Sequence, residues 1–153
     1  MNNFKNTFFV TTPIYYINDV PHIGSYYTTL VADVLARWNR LKGLDTFFLT
    51  GLDENSTKTV KAAKEKNYKN IQAYTDEMAK VWFDTWKNLN ISFNDFIRTT
   101  EKRHKENVIK FFKKVYEKGD IYKGNYSGLY CEGCESFLTE YELENGLCPI
   151  HKT

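Results

Sequence analysis

The sequence predicts an α/β fold in which two parallel strands, joined by a crossover helix, present a ligand-binding edge at their carboxyl ends. Three observations predict it. A β-rich apolar run at residues 7–12 comes first, a helical pattern from about Ser25 to Lys42 follows it, and a second apolar run at residues 46–50 closes the unit. Strand, helix, strand in that order is a βαβ unit, which is right-handed in nearly all cases. Both strands then end on one edge of the sheet. His22 and Gly24 lie there after the first strand, and Asp53 after the second.

Each element has a local cause. Pro13 halts the first run because it lacks an N–H for the ladder. Tyr27, Leu30, Val31, Val34, Leu35, Trp38 and Leu41 recur at helical spacing, and Gly43 supplies a helix stop. Gly51 closes the second strand. Residues 56–66 read as a basic, surface-facing helix. Ile71, Tyr74, Met78, Val81, Trp82, Trp86 and Leu89 form the stripe of a core-facing helix, which ends in a turn at residues 88–90. Asp95–Thr100 leads into a last helix from about Glu101 to Lys118, with Val108, Phe111, Phe112 and Val115 as its expected buried face. Its lysines and Arg103 read most simply as a solvated face, with an RNA contact as the sharper alternative. Short aromatic pieces follow Gly119. The expected domains are residues 1–118 and 119–153.

Composition narrows the class. At 42% hydrophobic and 16% aromatic, the chain has enough apolar material for a core. A net charge of +2 gives no field for general polyanion binding, so DNA is not an expected partner. No apolar run approaches a membrane span, and residues 1–6 lack the shape of a signal peptide. The three cysteines, an odd number, argue against a disulfide framework and for a reducing compartment. The expected location is the cytoplasm.

Two constellations carry chemistry. Cys131-Glu132-Gly133-Cys134 and Cys148-Pro149-Ile150-His151 are two metal-ligand pairs. Each pair brings two ligands around a tight turn, and three thiolates with one imidazole make a closed Cys₃His zinc site, structural rather than catalytic. The plain alternative is three free cysteines and a surface histidine. The other constellation is His22-Ile23-Gly24-Ser25 at a strand-to-helix junction. Helix N-terminal N–H groups attract phosphate, glycine permits close approach, and histidine adds a directional donor. His22 also reads as a capping residue without catalytic duty, and Asp53-Glu54 as a helix cap or a solvated pair. Neither a Walker pattern nor a GxGxxG is present.

Thr11-Thr12-Pro13-Ile14-Tyr15-Tyr16-Ile17-Asn18 with Pro21-His22-Ile23-Gly24 resembles the N-terminal segment of the methionyl-tRNA synthetases, class I enzymes with a His-Ile-Gly-His signature. Ala32-Asp33-Val34, Phe48-Leu49-Thr50-Gly51-x-Asp53-Glu54, Phe96-Ile97-Arg98-Thr99-Thr100 with His104, and Gly128–Cys131 leading to Leu147–His151 extend the resemblance from about Thr7 to His151. It implies the N-terminal half of a Rossmann-like nucleotide-binding fold with the start of a zinc-knuckle connective-peptide insertion. It also implies a methionine–tRNA ligase that joins methionine and MgATP as methionyl-adenylate, then transfers the methionyl group to tRNA.

By position, the resemblance assigns His22 to charge stabilisation at the α-phosphate, and Gly24 and Ser25 with it to ATP binding. Ile14 and Tyr16 would line the methionine pocket, and Asp53 would hold the substrate ammonium. Two departures stand out. Ser25 replaces the second histidine of the signature, a change worth about 1–2 kcal/mol if a charge-assisted bond is lost. Asn55-Ser56 replaces the family's His-Gly. The second half of the nucleotide-binding fold and the Lys-Met-Ser-Lys-Ser loop are missing from the 153 residues, which therefore read as a fragment inactive alone. The alternatives are a stand-alone zinc-knuckle module for RNA or protein, and another class I ligase.

Overall fold

The computed structural model describes residues 6–153. Met1–Lys5, most of the segment read for a signal peptide, lie outside the described residues. The chain forms two compact units that divide between Ile109 and Lys110, nine residues before the boundary expected at 118/119.

In the first unit β1 (Thr7–Tyr16), β2 (Asp45–Asp53) and β3 (Asp95–Arg98) make a parallel sheet in the order β1-β2-β3. Helix α1 (Ile23–Leu41) connects the first pair, and α2 (Thr57–Glu65) with α3 (Ile71–Asn88) connects the second. β1 runs straight through Pro13. Its pairing jumps from Thr11↔Leu49 to Ile14↔Gly51, so Thr12 and Pro13 face Thr50 alone. A proline fits such a bulge because no ladder N–H is asked of it. The Thr12 and Thr50 hydroxyls, 2.7 Å apart, bridge the irregularity.

The buried face of α1 is not the large apolar stripe that the spacing predicts. Leu30, Val31, Val34, Leu35, Trp38, Tyr27 and Leu41 are 36–83% exposed. The inner face is instead Ser25, Thr29, Ala32, Ala36 and Asn39, at steps of four and three residues, with Asp33 beside them. Small side chains let the helix axis approach the sheet closely, and buried aromatics fill the rest of the layer. Tyr15 stacks on Trp82 at 5.1 Å, Trp82 meets Trp86 edge-on at 5.6 Å, and Phe48, Leu52 and Ile17 are wholly buried in the same cluster. The α3 stripe supplies Tyr74, Met78, Trp82 and Trp86 to this core as expected, while its ends, Ile71 and Leu89, are exposed.

Strand β3 has no counterpart in the sequence expectation, because four residues are too few to show alternation. Gly51 admits it. A Cβ at Gly51 would lie 2.2 Å from the Ile97 carbonyl oxygen, so only glycine allows β2 and β3 this approach. Helix α4 (Lys102–Glu117) forms over the expected span, but it buries none of its residues; Val108, Phe111 and Phe112 are all exposed.

The second unit carries the hairpin β4 (Leu129–Cys131) and β5 (Ser136–Leu138), followed by a short 3₁₀ turn at Glu140–Glu142. Tyr126 and Tyr130 pack edge-on against Phe137. No helix among the described residues is long and apolar enough to cross a membrane.

Candidate functional site

The carboxyl edge of the sheet is built by register. Tyr16, the last residue of β1, pairs with Asp53, the last of β2, and Arg98 ends β3 opposite Leu52. Beyond Tyr16 the chain turns through Ile17–Pro21 into α1. Two aromatic donors from α3 tie that turn down: Tyr74 Oη donates to the Ile17 carbonyl at 2.9 Å and Trp82 Nε1 to that of Asp19 at 2.9 Å.

His22 is the N-cap of α1. Its Nδ1 accepts the Gly24 amide at 3.1 Å and the Ser25 amide at 3.4 Å. With two N–H groups aimed at Nδ1, that nitrogen is the bare one, and Nε2 on the far side of the ring carries the hydrogen. Capping and ligand donation are thus compatible in one residue. Gly24 leaves room for this contact: a Cβ there would lie 2.9 Å from His22 Cε1 and 3.1 Å from Nδ1, so a larger residue pushes the ring away from its cap position. Ser25 closes a capping box: Oγ accepts the His22 amide at 2.9 Å and donates to the His22 carbonyl at 2.7 Å. Its buried hydroxyl is committed to the helix start.

A cavity of about 310 Å³ opens beside the cap, lined by Ile14, Tyr16, Asn18, Val20, His22 and Trp82 among others. It unites Ile14, Tyr16 and His22; Gly24, Ser25 and Asp53 are outside its lining. Asp53 is half-buried at the same sheet edge and accepts the Asn55 amide at 2.9 Å. It caps no helix; Ser56 caps α2, taking the Lys58 amide at 3.1 Å. Glu54 is no solvated pair either. Its fully buried carboxylate meets Arg98, whose Nε lies 2.5 Å from Oε1. Burial opposes the Arg98 charge, but its bonds to Glu54 and Asp76 outweigh this and raise its pKa above the ordinary value. Trp82 and the Glu54–Arg98 pair escaped sequence reading as site residues: a tryptophan in an apolar stripe reads as core, and an acid beside an acid reads as surface.

The second unit assembles the other constellation. The ligand atoms of Cys131, Cys134, Cys148 and His151 all lie within 4.8 Å of one another. The Cys134 and Cys148 sulfurs are 3.6 Å apart, and His151 Nδ1 lies 3.6, 3.3 and 3.8 Å from the three sulfurs in sequence order. A tetrahedral zinc ion with ordinary bond lengths needs edges of about 3.8 Å between sulfurs and about 3.6 Å from sulfur to nitrogen. The donor set therefore fits zinc. The Cys134 amide, donating to the Cys131 sulfur at 3.4 Å, is the main cause drawing that thiol down to about 6. The bond with Cys148 pushes the Cys134 thiol up to about 11. Crowded thiols resist joint ionisation, which a dication relieves.

The family model for class I tRNA synthetases (M) matches residues 8–153. The chain belongs to this synthetase family. It is 52% identical over 145 residues to a methionine–tRNA ligase of Clostridium tetani, covering 95% of this chain and 22% of that protein. A methionine–tRNA ligase of Caldanaerobacter subterraneus is 51% identical over 145 residues, 95% of this chain and 23% of that one. The methionyl-tRNA synthetase of Mycobacterium tuberculosis, solved in complex with methionyl-adenylate, superposes with a TM-score of 0.88 at 37% identity, over 97% of this chain and 30% of that one. The synthetase chain thus spans about a quarter of the length of the curated relatives it matches. Its fold is the α/β, Rossmann-like N-terminal region of a class I synthetase, and its cysteine cluster is consistent with the start of a zinc knuckle.

Proposed function

We propose that this chain is part of a methionine–tRNA ligase and holds one wall of its amino-acid activation site. The observation that carries the reading is the cavity at the sheet edge, where Ile14 and Tyr16 adjoin a histidine that caps a helix N-terminus through Nδ1. The relatives' names agree with it. In the activation step a methionine carboxylate oxygen attacks the α-phosphorus of MgATP. The new P–O bond forms as the bond to the β-phosphate oxygen breaks, and pyrophosphate leaves with that electron pair. Negative charge builds on the α-phosphoryl oxygens. His22 Nε2–H and the positive end of α1 stabilise it, with no proton transferred. Gly24 keeps the approach to the backbone open for ATP, and Ser25 contributes by fixing the cap that aims His22. Ile14 and Tyr16 enclose the thioether side chain, and Asp53 pairs with the ammonium. The adenylate then passes its methionyl group to the 3′ end of tRNA.

Zinc in the Cys131, Cys134, Cys148, His151 site would be structural, one ion per chain, since four protein ligands leave no open position. Residues 119–153 would be the beginning of the connective-peptide insertion, and the enzyme would work in the cytoplasm, with no membrane partner. The test is ATP–pyrophosphate exchange by the complete polypeptide against a panel of amino acids. Exchange dependent on methionine is the expected result, and activation of a different amino acid refutes the assignment.

A further inference from the structure

The segment Phe96–Thr100 and the residue after Asp53 have no part in the proposed chemistry, yet they meet at the sheet edge. The Glu54 side chain is 0% exposed. Arg98 grips it with Nε on Oε1 at 2.5 Å and Nη2 on Oε2 at 3.3 Å, and the same Nη2 reaches Asp76 Oδ1 on α3 at 2.6 Å. The Thr100 hydroxyl donates to Glu54 Oε2. The backbone is tied as well. The Glu54 amide donates to Thr99 Oγ1 at 2.9 Å, and the Thr99 amide donates to the Leu52 carbonyl at 3.2 Å.

Apart from the Arg98–Asp76 bond, which ties Arg98 to α3, every polar bond of this cluster bears on Leu52 or Glu54, on either side of Asp53. A buried ion pair gives little net stability against an apolar pair of equal volume, because desolvation consumes most of its attraction. What it does supply is a single geometry: a guanidinium fork meets a carboxylate in one orientation. Asp53 needs such support, because its own side chain makes no ion pair among the described residues and accepts the amide of Asn55 in the adjoining turn. The direction of its carboxylate therefore follows the backbone. Glu54, next in the chain, anchors that backbone to β3 and, through Arg98, to α3.

We infer that Glu54 and Arg98 are positioning residues for amino-acid recognition: their buried pair holds the segment 52–55 so that the Asp53 carboxylate is aimed at the substrate ammonium. This rests on the activation function proposed above. Thr99 and Thr100 complete the clamp, which gives the Phe96–Thr100 motif a task.

Glu54→Gln and Arg98→Lys nearly preserve volume and remove, respectively, the charge and the fork. In the complete polypeptide, both variants should raise the methionine KM by about 10-fold or more while the ATP KM stays within about 3-fold, as loss of aim at one group predicts. Amide hydrogen exchange at residues 53–55 should quicken by about 10-fold, with the Phe48 and Trp86 core amides unchanged. An unchanged exchange rate at 53–55, an unchanged methionine KM in a folded variant, or an equal rise in both KM values would overturn the inference. If the wild-type polypeptide activates no methionine, the proposed function fails, while the exchange rates still decide whether the pair holds this segment. A variant that does not fold is judged by its partner variant, whose outcome then stands alone.

Discussion

Gly133→Ala should break the proposed zinc site without replacing any of its four ligand residues. Gly133 lies between Cys131 and Cys134, and a Cβ built on it would be 2.4, 2.5 and 2.6 Å from Cδ2, Cγ and Nε2 of His151. Three contacts of similar length across one ring mean that the methyl strikes its face, so no small rotation relieves them. Restoring an ordinary contact of about 3.4 Å displaces the imidazole by about 1 Å. Zinc–ligand distances tolerate about 0.2 Å, so Nδ1 leaves coordination range. Structural zinc sites bind with about 10–16 kcal/mol over four ligands, or roughly 3 kcal/mol for each. Partial relaxation of the turn returns some of this, leaving a loss of about 100-fold in affinity. Competition with a chromophoric chelator at neutral pH measures it, and His151→Ala, which removes the same ligand outright, sets the scale. Gly133→Ala should fall close to His151→Ala. Wild-type affinity in Gly133→Ala, with His151→Ala weakened, would refute the claim that this glycine makes room for the fourth ligand.

Three other outcomes follow from the same geometry. Ser25→Ala removes the Ser25 hydroxyl's two bonds to the His22 backbone, and with them one half of the capping box, and should lower stability by about 1 kcal/mol in urea denaturation; no change would deny that the hydroxyl holds the helix start. Gly51→Ala forces β2 from the Ile97 carbonyl and should cost about 3 kcal/mol, at the upper end of overpacking, in the same assay, and a neutral result would contradict the β2–β3 approach. Arg98, then Gln72, hold Asp76 below the ordinary carboxylate range, and Arg103 does the same for Asp95. Because their folded pKa values lie below the unfolded ones, the stability they add is complete above about pH 4 and is lost as pH falls through the lower values. Asp76→Asn should flatten the acid limb of a stability–pH curve, and an unaltered limb would remove Asp76 from this role.

What the sequence reveals depends on whether spacing alone decides the structure. The Cys₃His cluster is legible because Cys-x-x-Cys and Cys-x-x-His turn tightly wherever they occur, and the four donor atoms do converge. The βαβ order is legible because two apolar runs flank one helical period. The inner face of α1 is not. Ser25, Thr29, Ala32, Ala36 and Asn39 keep the same helical rhythm as the large apolar residues, and only close approach to the sheet selects the small ones. β3 escapes because its four residues are placed by Gly51 on another strand. For α4, periodicity marks an apolar stripe but does not say what covers it. At the site, the signature locates His22, yet the tautomer comes from the two amides on Nδ1, which no sequence displays. Glu54 is hidden for a related reason: its partner Arg98 lies 44 positions away, on an element the sequence does not announce.

In the proposed activation step His22 acts on charge developing at the α-phosphate. Steady-state ATP–pyrophosphate exchange by His22→Ala in the complete polypeptide tests it most directly. The expected result is a maximal rate reduced by about 100-fold or more, with the methionine KM within about 3-fold of wild type, because the donor acts chiefly in the transition state. A raised KM with an unchanged maximal rate would contradict it.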